Sequence, residues 1–182
     1  MKTSVLTLPA ATTRSDRILL ALFFFLATAL GAFVEVPLPF TPVPITLQTF
    51  FVLLGATMMG RGWSVAVQTA YLGAGAVGAG FFAGGAAGLA HLWGPTAGYL
   101  WAFVPAALLV SSLWGRCGGP GARLALLGGA AALILGAGAL WLGFFLHLSP
   151  ERAIALGVAP FLPGEALKAL AVTLLRRGGA RG

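Results

Sequence analysis

Charge is what this sequence has least of. Of its 182 residues, 8% are Asp, Glu, Lys or Arg, against roughly 25% in soluble domains. Apolar side chains make up 59%, and the mean hydropathy is +0.96. Eleven cations and four carboxylates cannot cover a soluble surface beside so much hydrocarbon, so the composition is that of an integral membrane protein. The length fits one domain. A single cysteine, Cys117, excludes an intramolecular disulfide and a Cys-based metal cluster. His91 and His147 each lack a second ligand at a metal-binding spacing and read as interfacial residues. No G-x-x-x-x-G-K-[ST] loop occurs, which excludes ATP hydrolysis by that route. Neither G-x-S-x-G nor H-E-x-x-H is present, and no carboxylate pair falls within an apolar run. An intramembrane enzyme needs more polar machinery than this. The chain therefore reads as non-enzymatic, with no metal and no resident cofactor.

Hydrocarbon is what the sequence has in quantity. A membrane-spanning helix needs about 20 apolar residues, and six runs meet or approach that length: 18–34, 45–59, 63–79, 97–113, 124–146 and 161–175. Residues 153–159 also read as apolar, but Pro160 and Pro163 remove backbone donors, so the sixth helix is expected to start afresh near Pro163. The stretch before it becomes an outer cap or lead-in. Outer loops are expected at 35–46, 80–96 and 147–160, all within one membrane domain spanning 1–182. The first apolar run leads into Glu35 and prolines rather than a small-residue cleavage site, so it reads as a retained helix.

The net charge of +7 would point to nucleic acid in a soluble protein. Here the cations fall between apolar runs and never cluster with aromatics, so no nucleic-acid partner is expected. Lys2, Arg14, Arg17, Arg61, Arg116, Arg123, Arg176, Arg177 and Arg181 all fall on one side of the six-run plan, and only Arg152 falls on the other. That bias is the positive-inside pattern of six helices with both termini in the cytoplasm. Trp63, Trp93, Trp114 and Trp141 fall near run ends or in loops, as an interfacial belt would place them. Trp101 lies one turn into the fourth run and suits either belt or interior.

Two outer loops are apolar and conformationally restricted. Residues 35–46 contain Pro37, Pro39, Pro42 and Pro44, and residues 73–98 contain nine glycines. Such segments suit either a lid over something or a rest in the lipid interface. Inside the runs, the ionisable residues are Glu165 and Lys168, costly at about 2.5–3.5 kcal/mol each. Three residues apart, they share one helical face, and Glu165 falls in the first turn, where the helix dipole favours a carboxylate. They form either a self-neutralising structural pair or a ligand site with one acceptor and one donor. Thr46, Gln48 and Tyr99 are expected at the same outer depth.

The segment Val36-Pro37-Leu38-Pro39-Phe40-Thr41-Pro42-Val43-Pro44-Ile45-Thr46-Leu47-Gln48-Thr49 resembles the BioY family, the biotin-specific substrate-binding components of energy-coupling-factor (ECF) vitamin transporters. Phe82-Ala83-Gly84-Gly85, Gly94-Pro95-Thr96-Ala97-Gly98-Tyr99 and Phe161-Leu162-Pro163-Gly164-Glu165-Ala166-Leu167-Lys168 agree in order and spacing. The resemblance thus extends over essentially the whole chain. It implies an all-α, six-helix S-component fold in a bacterial-type cytoplasmic membrane. Biotin would bind near the outer face, and the protein would dock onto a transmembrane coupling subunit driven by two cytoplasmic ATPases, or form a homo-oligomer if it works alone. It assigns the acceptor role toward the ureido N–H groups to Glu165. The donor role toward the ureido carbonyl or the valerate goes to Lys168. Phe40 would cover the apolar part of biotin, with Thr46, Gln48 and Tyr99 at the mouth. Family members commonly place an Asn in the glycine loop, yet this chain has no Asn, so either Gly84, Gly85 or a backbone group takes its place or that hydrogen bond is absent. Small residues four apart, Ala27 with Gly31 or Thr28 with Ala32, would form the coupling-subunit face or else pack within the bundle. Two alternatives are an importer subunit for another small vitamin and a non-transport assembly subunit in which Glu165 and Lys168 are purely structural.

The charge bias makes a direct prediction. Cys117, between the fourth and fifth runs, should react with a membrane-impermeant maleimide only after cells are opened. Labelling of intact cells would overturn the both-ends-inside topology.

Overall fold

A computed structural model describes residues 13–176; Lys2, Arg177 and Arg181 lie outside them. The described chain is helical apart from one short hairpin ladder. Its elements are α1 (Arg14–Phe33), β1 (Glu35–Val36), β2 (Ile45–Thr46), α2 (Gln48–Met58), α3 (Arg61–Ala76), α4 (Ala97–Leu113), α5 (Pro120–Phe145), α6 (Pro150–Gly157) and α7 (Leu162–Leu175). Helices α1, α4 and α5, and the α6–α7 segment, are long and apolar enough to cross a membrane. The 11 residues of α2 extend only about 16 Å at 1.5 Å per residue.

Local chemistry moves several boundaries away from the edges of the apolar runs. Helix α1 begins at Arg14, four residues before its apolar run. Thr13 Oγ1 accepts from the Asp16 amide at 3.1 Å while the Asp16 carboxylate accepts from the Thr13 amide at 3.0 Å, a reciprocal capping box. Residues 45–46, expected to open the second helix, instead pair as β2 with β1, in register Glu35↔Thr46 and Val36↔Ile45. The expected outer loop 147–160 contains α6. Ser149 caps it, accepting from the Arg152 amide, and Pro150 supplies a pre-set first helical residue.

The helices approach one another through residues without side chains. A Cβ on Gly138 of α5 would lie 2.2 Å from the Tyr99 ring of α4, and one on Gly98 would lie 2.4 Å from Trp141 Cβ. A Cβ on Gly75 of α3 would meet the Phe82 ring at 2.1 Å, which is how a residue of the glycine-rich loop becomes fully buried. Close backbone approach of this kind replaces the hydrophobic drive that lipid cannot supply between helices.

The small residues of α1 pack within the bundle, one of the two arrangements expected of them. Ala27, Thr28, Gly31 and Ala32 are all buried inside the chain. A Cβ on Gly31 would stand 3.0 Å from the Phe51 ring and 3.1 Å from the Gln48 amide nitrogen. Gly31 thus lets the start of α2 pack closely on α1. The outward face of α1 carries Leu19, Leu22, Phe23, Leu26, Leu30 and Phe33.

Gly138→Ala tests this packing. The added methyl has the Tyr99 ring in its place, and overpacking of this kind costs about 1–3 kcal/mol. The variant should melt clearly below the parent in detergent. Gly129→Ala on the same helix meets nothing within 4 Å and should melt at or above the parental temperature.

Candidate ligand-binding site

Glu165 lies in the first turn of α7, a helix whose preceding residues include Pro160 and whose first turn holds Pro163. Its Oε1 accepts from Lys168 Nζ at 2.6 Å and from Thr49 Oγ1 at 2.8 Å. Lys168 Nζ also donates to Thr49 Oγ1 at 2.8 Å and to the Thr46 carbonyl at 2.6 Å. An ammonium has three hydrogens, and all three are engaged. These hydrogens hold α7 against the start of α2. Glu165 is the member with capacity left over. Its Oε2 is buried and accepts no hydrogen bond from the described residues.

Both side chains line a cavity that is partly open to solvent. Thr46, Gln48 and Thr49 line it from the β2–α2 junction, Val43 and Pro44 from the proline loop, and Ala83, His91 and Thr96 from the glycine loop. Its apolar wall is Leu100 and Phe103 of α4, Ile134 and Leu135 of α5, and Phe161. The cavity therefore lies at the end of the bundle where α2, α4 and α7 begin, and Arg61, Arg116, Arg123 and Arg176 mark the opposite helix ends.

Gln48 is buried, with one amide hydrogen and its amide oxygen engaged. Its Nε2 donates to the Tyr71 hydroxyl, which donates on to the Phe81 carbonyl at 2.9 Å, and its Oε1 accepts from Thr46 Oγ1 at 3.3 Å. Tyr99 presents only its ring, because its hydroxyl donates to the Gly157 carbonyl at 2.7 Å. That bond ties α4 to the end of α6.

Three expected contacts fall elsewhere. Phe40 is 56% exposed. The Thr41 amide donates to the Leu38 carbonyl, a turn in which Leu38 and Val43 pack on the core and Phe40 projects outward. The proline loop reaches the cavity through Val43 and Pro44 instead. Gly84 faces a neighbouring cleft with Glu35 and Pro37. Gly85 lines neither space. Both glycines adopt positive φ, +67° and +71°, and so shape the turn that brings Ala83 to the wall.

Three polar wall residues were not legible beforehand. Thr49 sits three residues after Thr46, a helical spacing that could have flagged it. His91 stacks on Phe82 at 5.1 Å and 16° between planes, with Nε2 3.3 Å from Thr96 Oγ1. Burial pushes its imidazolium below the ordinary histidine range, leaving a neutral ring at the mouth. Only the path of the glycine loop puts His91 and Thr96 there.

The chain has clear relatives. The BioY family model matches residues 1–181. The probable biotin transporter BioY of Pyrococcus horikoshii is 35% identical over 162 residues, covering 89% of this chain and 94% of the relative. The biotin transporter BioY of Rhodobacter capsulatus is 36% identical over 175 residues, covering 87% and 90%, and that of Thermotoga maritima is 32% identical over 145 residues, covering 80% and 84%. Among solved structures, the S-component for biotin from an ECF-type ABC transporter superposes with a TM-score of 0.83, covering 94% of this chain and 96% of its own. At 22% identity, that match speaks to the fold.

The ion-pair geometry generates its own prediction. Lys168→Met removes every hydrogen bond of the ammonium and leaves a buried carboxylate without its counter-ion, a change that typically costs 3–5 kcal/mol. The variant should melt far below the parent, and the double variant Glu165→Gln with Lys168→Met should recover much of that loss.

Proposed function

This chain belongs to the BioY family, and we propose on that premise that it captures biotin at the Glu165 cavity as the substrate-binding subunit of an ECF-type importer. The observation that carries the reading is Glu165 Oε2, a buried carboxylate oxygen with no partner among the described residues, on a residue that lines a cavity with one largely apolar wall. A cyclic urea carries N–H donors that suit it. Biotin's thiophane ring and valeryl chain suit Leu100, Phe103, Ile134 and Phe161.

The residues then divide the work. Lys168 and Thr49 hold the Glu165 carboxyl in place, since both donate to its other oxygen. Gln48, fixed by Tyr71, keeps one amide hydrogen for a ligand acceptor such as the ureido carbonyl. His91 and Thr96 add polar groups at the loop-side wall. Charge-assisted bonds in a water-poor site are short and strong, which is what a subunit drawing a vitamin from dilute solution requires.

The same reading sets the protein in the membrane. Six helices span or enter the bilayer with both termini in the cytoplasm, so the cavity opens outward. Its partners are a transmembrane coupling subunit and two ATPases, needed because the chain carries no phosphate-binding loop of its own. The exposed Leu and Phe face of α1 is available to such a partner, in place of the small residues that pack inside. The membrane is the bacterial-type cytoplasmic one.

Calorimetry with biotin tests the site. The parent should bind, and Glu165→Gln, which keeps the shape but loses the charge, should bind about 10- to 150-fold more weakly, as expected for one charge-assisted bond of roughly 1.5–3 kcal/mol. Equal affinity in parent and variant would show that Glu165 is structural. No detectable binding by the folded parent would return the question to another vitamin.

A further inference from the structure

The opposite end of the bundle holds two guanidinium groups that the biotin site does not use. Arg123, in the first turn of α5, donates from Nη1 to the Arg176 carbonyl at 3.2 Å, and its guanidinium lies 4.9 Å from the Trp114 ring centroid. Arg176, which closes α7, donates from Nη2 to the Thr57 carbonyl at the end of α2, also at 3.2 Å. These contacts cap two helix ends, a role that accounts for one N–H of each five-donor group. The remainder is unexplained by capping. Nε of Arg123 and Nε of Arg176 are both buried, and neither has an acceptor among the described residues.

No carboxylate among the described residues lies within ion-pair distance of either group, the ion pair there being Glu165–Lys168 at the other end. Two like charges are thus held together, each raising the energy of the other's charged state; burial and the Arg123 charge both push Arg176 below its ordinary value. Such a pair is stable when an anion lies between or over the two groups. A planar fork of N–H donors matches tetrahedral phosphate oxygens two at a time. The location is also apt. These helix ends belong to the arginine-rich side of the chain, where basic pockets between membrane helices receive anionic headgroups.

We propose that Arg123 and Arg176 form a phosphate-binding site at the junction of α2, α5 and α7, taking the phosphate of an anionic lipid headgroup or free phosphate. Trp114 forms one side and holds the Arg123 plane. The bound anion would clamp the end of α7 to α2, so it would stabilise the same helix whose first turn carries Glu165.

The test uses the full chain in nanodiscs of phosphatidylcholine, with or without phosphatidylglycerol, and in phosphatidylcholine discs with added inorganic phosphate. Melting temperature and the lipid retained in native mass spectrometry are read for the parent, Arg123→Gln, and the double variant Arg123→Gln with Arg176→Gln. Phosphatidylglycerol should raise the parental melting temperature by several degrees and be retained selectively. Each arginine near an anionic surface contributes about five-fold in affinity, so selective retention should fall about five-fold in the single variant and roughly thirty-fold in the double. Arg123→Gln leaves the Thr57 contact in place and serves if the double variant does not fold. An equal rise from inorganic phosphate in neutral discs supports the site and identifies free phosphate as its occupant. No rise in any arm, or the same rise and retention in the single variant as in the parent, overturns the proposal.

Discussion

The arrangement depends on one ammonium whose three hydrogens are all engaged. Lys168 reaches from α7 to the Thr46 carbonyl and to Thr49 across 122 and 119 positions of sequence, and to Glu165 within its own helix. Burying a charge in an apolar medium is costly unless it is paired and hydrogen-bonded. The mutual satisfaction of Lys168 and Glu165 fixes where α7 can stand against α2. Because Lys168 uses only one carboxylate oxygen, Glu165 Oε2 is left inside the cavity as a directed acceptor. Structural pair and ligand site are therefore not rival descriptions: one oxygen performs the first task and the other is available for the second.

Around this pair, backbone contact takes the place of bulky packing. Glycines at 75, 98, 138 and 157 let rings and neighbouring backbones come closer than any Cβ would permit. Tyr99 is the clearest case. Its ring fits over Gly138, its hydroxyl closes on the Gly157 carbonyl, and one face remains for the cavity wall. The short ladder β1–β2 works similarly for the proline loop, setting the register that directs Val43 and Pro44 inward and Phe40 outward. Stiffness in that loop lowers the entropy lost when the wall forms.

The two ends of the molecule contrast in electrostatics. At the cavity end, opposite charges cancel and leave a single acceptor. At the other end, arginines predominate, capping helix ends with carbonyl contacts. A helical bundle in lipid tolerates this asymmetry because each charge lies at a helix end or is paired.

Much was decided by the sequence alone. The scarcity of charge and the six apolar runs determine a helical membrane protein, since only structures with internally satisfied backbones persist in lipid. The Glu165–Lys168 spacing announces a shared face, because a helix places residues three apart side by side. The proline and glycine segments, with the PGEALK stretch, mark the family. What the tertiary structure decided were directions and satisfactions. The outward turn of Phe40, the inward packing of Ala27, Thr28, Gly31 and Ala32, the arrival of His91 and Thr96 at the wall, and the saturation of Lys168 each depend on contacts with distant segments. Local periodicity specifies which face a residue occupies. Which partner meets that face, and which polar atom remains unpaired there, is set only when helices distant in sequence come together.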